Sequence, residues 1–395
     1  MAASTIKRNP VVLHVRVVAG RTGGPDKTIL RSAAHRHAQP FSVHAAYIHP
    51  VNDPVIDTVR EQARQLGCPL WEFAERGPMD PRTVTGLLDL CRRLSVDIWH
   101  AHDHKSNALG LLLARMRPMH LVTTAHGWTF DTPRARLYQR VDDWCLPRYE
   151  RVITVSPQLH EHCLRLGVKP ERLCEIPNGV EIEKFRPAGD PSAARKTLGI
   201  SERRPVIGFV GRLSVEKGVD RAITTLAALH ASSLRAELHL IGDGPERQRL
   251  QTLANELGVK HAVRFWGWQT ELTKFYQAMS MLILPSLTEG LPNVVLEAMA
   301  MGVPVAATDV GATARVLDHG QCGVILSSDV ASWASQIKPL LGNPLLRAST
   351  ARLARQRVES HYTFDRRVQA EAAVHCNLLG MTTHTHITTP HRVAA

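Results

Sequence analysis

Short runs of β-branched and apolar residues alternate with helix-length amphipathic segments along nearly the whole chain, and near residue 180 the alternation starts afresh. Strands with period two between helices with period 3.6 specify parallel α/β units, because a parallel strand is reached only through a crossover. The first series is "VVLHVRVVA", "FSVHAAYIH", "DIWHAHD", "HLVTTAHG" and "RVITVS", with helices predicted over 54–66, 82–94 and 105–116. The second is "PVIGFVGR", "AELHLIGDG", "AVRFWG", "SMLILPS", "PVAATD" and "GVILSS". Asn178, Gly179, Pro187, Gly189 and Pro191 punctuate the join, which places the hinge near residues 178–192.

A length of 395 residues also exceeds what one core usually serves. The division expected is 1–180, then 181–360, with a further helix at about 361–380 and a loose, polar tail over 381–395. No run of about 18 apolar residues suggests a membrane span. The opening "VVLHVRVVAG" is interrupted by His14 and Arg16 and reads as a first strand rather than a secretory signal. Seven cysteines without a CxxC pair argue against a disulfide frame or zinc knuckle, so a reducing cytosol suits the chain. The net charge of +12 favours anions. With only 5% aromatics and no basic block interleaved with them, a nucleic-acid reader is not indicated; a solvated basic surface, an anionic membrane face and phosphorylated small molecules remain.

Ligands of open parallel sheets sit beyond the carboxyl ends of the strands, which directs attention to the loops there. In "VGRLSVEKGVD" a strand ends at Gly211, Arg212 and Lys217 follow, and a helix is expected near Lys217. Two cations beside a helix amino end suit a doubly charged phosphate. In "PSLTEGLPNVVLEAMAMGVPVAATD" Glu289 and Gly290 form the turn and Pro292 takes the first helical position. Glu297, five residues on and so about 7.5 Å along the axis, would lie beside the ribose of a nucleotide whose phosphate sits at the helix start. Glu289 would then meet what hangs from the phosphate's other side.

These stretches, with "LHLIGDGPER", "RFWGW" and "IPNGVEIEKFRP", resemble the retaining glycosyltransferases of family 4. The resemblance implies the GT-B fold: α/β, two Rossmann-like doubly wound parallel-sheet domains facing an interdomain cleft, with the helix at about 361–380 packing back onto the first domain. It implies a hexosyltransferase-type enzyme that moves a sugar from a nucleoside diphosphate sugar to an acceptor hydroxyl with retention, in cell-surface polysaccharide or glycolipid biosynthesis such as that of exopolysaccharide or lipopolysaccharide. No cofactor beyond the nucleotide-sugar co-substrate is implied, and no metal. Arg212 and Lys217 would hold the diphosphate and Glu297 the ribose. Glu289 with the backbone of Gly290 and Leu291 would hold the transferred sugar, and Trp268 would face the base. In "RTGGPDKTIL", Gly23 and Gly24 match the family's glycine loop, and His126 in "TTAHGW" matches its histidine near the donor sugar. The acceptor would be a glycan or a lipid-linked intermediate, met in the cytoplasm or on the cytoplasmic face of the inner membrane.

"HAHDH", His100 to His104, raises a rival. A strand reaching His104 would put His100, His102 and His104 on one face, where a metal-dependent hydrolase could use them with His126. The spacing is one residue short of HxHxDH. His102 and Asp103 are therefore read as acceptor contacts, and His100 as packed and hydrogen-bonded to backbone. Two other readings stand beside these: a catalytically inactive nucleotide-sugar-binding subunit, and a polymer synthase.

Overall fold

The computed structural model describes residues 8–20, 22–35, 39–127, 133–187 and 189–381. The tail from 382 onward, and with it most of the predicted loose end, lies outside the described residues. The chain divides into two compact units, one of residues 1–177 together with 365–395 and one of residues 178–364.

The first unit is built on seven strands: β1 (Val11–Val17), β2 (Ser42–Pro50), β3 (Leu70–Glu75), β4 (Ile98–Ala101), β5 (His120–Ala125), β6 (Arg151–Thr154) and β7 (Leu173–Glu175). All pair in parallel, in the order β3-β2-β1-β4-β5-β6-β7. Chain direction reverses its walk across the sheet between β1 and β4, the doubly wound arrangement. β3 and β7 escape the sequence reading: "LWEFAE" runs apolar, apolar, charged twice over and so shows no period of two, and "LCE" is too short to show a period.

Alternate side chains of β1 and β4 serve two cores. Leu13, Val15, Trp99 and Ala101 join Leu109 and Leu113 on one face. On the other, Val12 and Ile98 meet Ala372 and Cys376 of the last helix, Phe364–Leu378. Each Leu or Ile buried completely in such a layer contributes about 1.5–3 kcal/mol. His14 and His100 stand opposite one another in the β1–β4 register, on the same face as Val12 and Ile98.

The second unit has six parallel strands: β8 (Val206–Val210), β9 (Glu237–Ile241), β10 (Val263–Gly267), β11 (Met281–Leu284), β12 (Val305–Thr308) and β13 (Val324–Leu326), in the order β10-β9-β8-β11-β12-β13. All six are the strands expected from the sequence. Its core sets Ile207, Phe209, Leu238 and Leu240 against Val219, Ile223 and Leu226 of the helix Val219–Ala231. Because every strand is parallel, the loops after β8, β10 and β11 leave the same edge of this sheet. Among the described residues no helix is long and apolar enough to cross a membrane.

Candidate active site

β8 and β11 are neighbours, and the loops that follow them are tied together. After β8 the chain makes a short turn, Val215–Lys217, before the helix opens at Val219, two residues later than the sequence suggests. Gly218, at φ +59, separates the two; a Cβ there would lie 2.3 Å from the Pro285 carbonyl oxygen. Only glycine lets the β8 loop come this close to the end of β11. The Glu216 carbonyl accepts from the Leu287 amide at 2.8 Å, which adds a second tie.

That approach brings Lys217 and Glu289 together. Lys217 Nζ donates to Glu289 Oε1 at 2.7 Å, and the buried Ser286 hydroxyl donates to the same oxygen at 2.7 Å. The Lys217 side chain is a quarter exposed and that of Glu289 about a tenth. Arg212 is exposed and its guanidinium has no side-chain partner among the described residues. The Gly290 carbonyl accepts from the Ala312 amide at 2.9 Å, and Gly311, at φ +60, permits it: a Cβ there would stand 2.2 Å from the Gly290 oxygen. Leu291 is buried, and its carbonyl accepts from Asn178 Nδ2 at 2.8 Å.

Pro292 is the cap of the helix Asn293–Ala300 rather than its first residue. Glu297, 3% exposed on that helix, accepts from the buried Tyr276 hydroxyl at 2.8 Å. Burial beside this carboxylate drives the Tyr276 phenol well above its ordinary value. Trp268 follows β10, two strands from β8, and is half exposed.

In the first unit, Gly23 caps the helix Gly24–Ala34. Its amide is committed: it donates to Asp26 Oδ2 at 2.6 Å, while Asp26 Oδ1 accepts from Arg16 Nε at 2.6 Å. His126 follows β5, partly buried, its Nε2 3.0 Å from His102 Nδ1. The first unit corrects three details of the histidine reading. β4 stops at Ala101 and Asp103 caps the helix His104–Met116, so His104 leaves the strand face and stacks on Tyr138 with centroids 4.2 Å apart. His100 bonds to Thr124 Oγ1 at 2.8 Å and His375 Nε2 at 3.1 Å, both side chains rather than backbone. The Asp103 carboxylate is filled by main-chain amides of Val17, Lys105 and Ser106. Two other buried groups, His14–His100–His102 and His100–Glu371–His375, have ligand atoms within 4.8 Å of one another.

Residues 204–343 match the family model described as glycosyl transferases group 1, and residues 22–184 match glycosyltransferase family 4. A glycogen synthase of Mycobacterium tuberculosis (strain H37Rv) is 30% identical over 292 residues, 71% of this chain and 68% of that one. This chain belongs to glycosyltransferase family 4. A D-inositol 3-phosphate glycosyltransferase of Corynebacterium jeikeium is 29% identical over 338 residues, 77% of the present glycosyltransferase and 80% of the relative. Among solved structures, Anabaena Alr3699/HepE in complex with UDP and glucose superposes with a TM-score of 0.81 at 20% identity, covering 93% of this glycosyltransferase and all of that chain. The family and the GT-B fold expected from the motifs are thereby borne out.

Sequence reasoning left out three buried residues of the cluster that lies behind His126 in this glycosyltransferase. His14, Glu371 and His375 are buried beside His100 and His102, yet 275 positions separate His375 from His100. The one local signal was "VVLHV", a histidine at a core position of an otherwise apolar strand.

Proposed function

We propose that the enzyme transfers a sugar from a nucleoside diphosphate donor to an acceptor hydroxyl with retention and without a metal ion. The observation that carries this reading is the Lys217–Glu289 pair at 2.7 Å, held where the loops after β8 and β11 meet, with Arg212, which has no side-chain partner among the described residues, in the same β8 loop. Expelling the diphosphate is the hard step, and fixed charge aimed at a leaving group supplies a large share of such rate enhancements. Arg212 and Lys217 bind the diphosphate and take up the charge that grows on it. Glu289 and the main chain of Gly290 and Leu291 orient the transferred sugar; Glu297 accepts from the ribose hydroxyls; Trp268 lies at the base.

From the first unit, the Gly23–Gly24 turn supplies backbone free of side chains, and His126 hydrogen-bonds the donor sugar. Attack on the face the diphosphate leaves, with the leaving phosphate taking the acceptor's proton, gives retention without an enzymic nucleophile. A glycan or lipid-linked acceptor in cell-surface polysaccharide or glycolipid assembly accords with the +12 charge, which suits work at an anionic cytoplasmic membrane face. A hydrolase built on His100–His104 is not favoured, since His104 points away on a helix.

Incubation with UDP-, GDP- and ADP-sugars in chelator, with the product anomer read by NMR, tests the proposal. One donor should be consumed with its configuration kept. Loss of activity in chelator, or an inverted product, contradicts it.

A further inference from the structure

A line of three imidazoles leads inward from His126. His126 Nε2 lies 3.0 Å from His102 Nδ1, and His102 Nε2 lies 2.8 Å from His14 Nδ1. His14 Nε2 then stands 3.6 Å from Glu371 Oε1. Glu371 belongs to the terminal helix, where Arg367, one turn earlier, approaches its other oxygen at 3.3 Å and also donates to the carbonyls of Ile176 and Pro177. His14, His102, Glu371 and Arg367 are all at least 96% buried. His100 stacks on His102 and lies tilted against His14, with centroids 4.5 Å from each, and so packs against both rings.

A neutral imidazole has one donor and one acceptor, so a line of them has a direction. Here the direction is set at the far end. Burial raises the Glu371 pKa, but the Arg367 guanidinium at 3.3 Å opposes that rise and keeps it a carboxylate, which only accepts; facing it with a bare ring nitrogen would oppose two lone pairs, so His14 carries its proton on Nε2. Its Nδ1 must then accept, which makes His102 Nε2 the donor. His102 Nδ1 accepts in turn, and His126 Nε2 donates. Burial lowers the pKa of all three rings, with neighbouring cationic groups adding to it, so that they stay neutral.

We infer that His102 and His14 are positioning residues that lock His126 in its Nε2–H tautomer, so that Nδ1 presents a lone pair. Among the described residues nothing occupies that nitrogen. His126 consequently accepts from a hydroxyl of the transferred sugar and cannot donate through Nδ1 to a phosphate oxygen. This rests on the reading of His126 as a donor-sugar residue. A cation held by His14, His100 and His102 is disfavoured, because nitrogens 2.8 Å apart share the proton whose place the ion would need.

The test is two-bond ¹H–¹⁵N correlation of the full chain labelled at histidine, with assignments from single substitutions. His126, His102 and His14 should show the Nε2–H pattern. In His102→Leu the His126 signal should average between tautomers and kcat/KM for the donor fall about tenfold, the worth of one oriented hydrogen bond. His102→Asn, whose carboxamide oxygen stands near the place of Nδ1, should restore both. An Nδ1–H pattern at His126 in the wild type overturns the inference, and that spectrum decides alone if His102→Leu does not fold. Stoichiometric zinc binding that shifts these resonances overturns it as well. A wild type that turns over no donor sinks the transfer reading and leaves the tautomer result standing.

Discussion

Lys217 Nζ and Glu289 Oε1 are 2.7 Å apart, and the two residues lie 72 positions from each other in the sequence. The cation assigned to the diphosphate is engaged by the carboxylate assigned to the sugar. Glu289→Gln removes the competing charge. Nucleoside diphosphate should bind this variant more tightly, by up to about tenfold for one freed, partly buried cation, while turnover falls by about 10²-fold or more. Calorimetric titration beside steady-state rates checks both. Weaker diphosphate binding in Glu289→Gln would show that the pair does not compete with ligand.

Tyr276→Phe removes a donor to the buried Glu297 carboxylate. Withdrawing a hydrogen bond from a buried charged acceptor costs about 1.5–3 kcal/mol, so denaturant unfolding should show a loss of that size. If Glu297 binds the ribose, nucleotide affinity should drop as well, and affinity for inorganic diphosphate should not.

Gly218→Ala forces a side chain toward the Pro285 carbonyl and into a left-handed backbone position. The strain alone is about 1–3 kcal/mol. Displacing the β8 loop from β11 should also separate Lys217 from Glu289, so donor turnover should fall further than stability. A crystal structure of the variant with that pair intact would contradict this.

His375 ought to make the protein acid-sensitive. Burial holds its pKa down to about 3 against an ordinary 6.5, so it is neutral in the fold and takes up a proton on unfolding. The unfolded state then binds more protons at every pH between those values, and stability falls as pH drops below 6.5, by about 1.4 kcal/mol per pH unit for each such group. His14, His100, His102 and His126 are shifted the same way. Glu371, raised by burial, works in the opposite sense. Urea unfolding at pH 7.5 and pH 5.0 measures the slope, and His375→Phe should flatten it.

The second unit was the more legible from sequence. Its strands are mostly apolar, with Glu237 and His239 in β9 and Arg264 in β10 as exceptions, and each adjoins or ends on a glycine or proline; its site residues follow strand ends in loops whose glycines permit backbone contact. Lys217 and Glu289 could be named from their loops, because neighbouring parallel strands bring such loops to one edge. The cluster around His126 was not legible. His14, Glu371 and His375 read locally as an anomalous strand histidine and ordinary helix polar residues. Only the packing of the terminal helix on one face of the first sheet brings them together. The error at His104 has a local cause: Asp103 is a good helix cap, and its three amide bonds accompany a strand that stops at Ala101, three residues short of His104.

The central claim is that Arg212 and Lys217 grip a diphosphate without help from a metal. Isothermal titration of UDP, GDP and ADP in chelator, against the wild type and the Arg212→Ala/Lys217→Ala double variant, tests it most directly. The account predicts that one nucleotide binds the wild type and that the double variant loses about 10²-fold or more in affinity, two charge-assisted contacts at about 1.5 kcal/mol or more each. Equal affinity in the two proteins, or wild-type binding that appears only when a divalent ion is added, would contradict it.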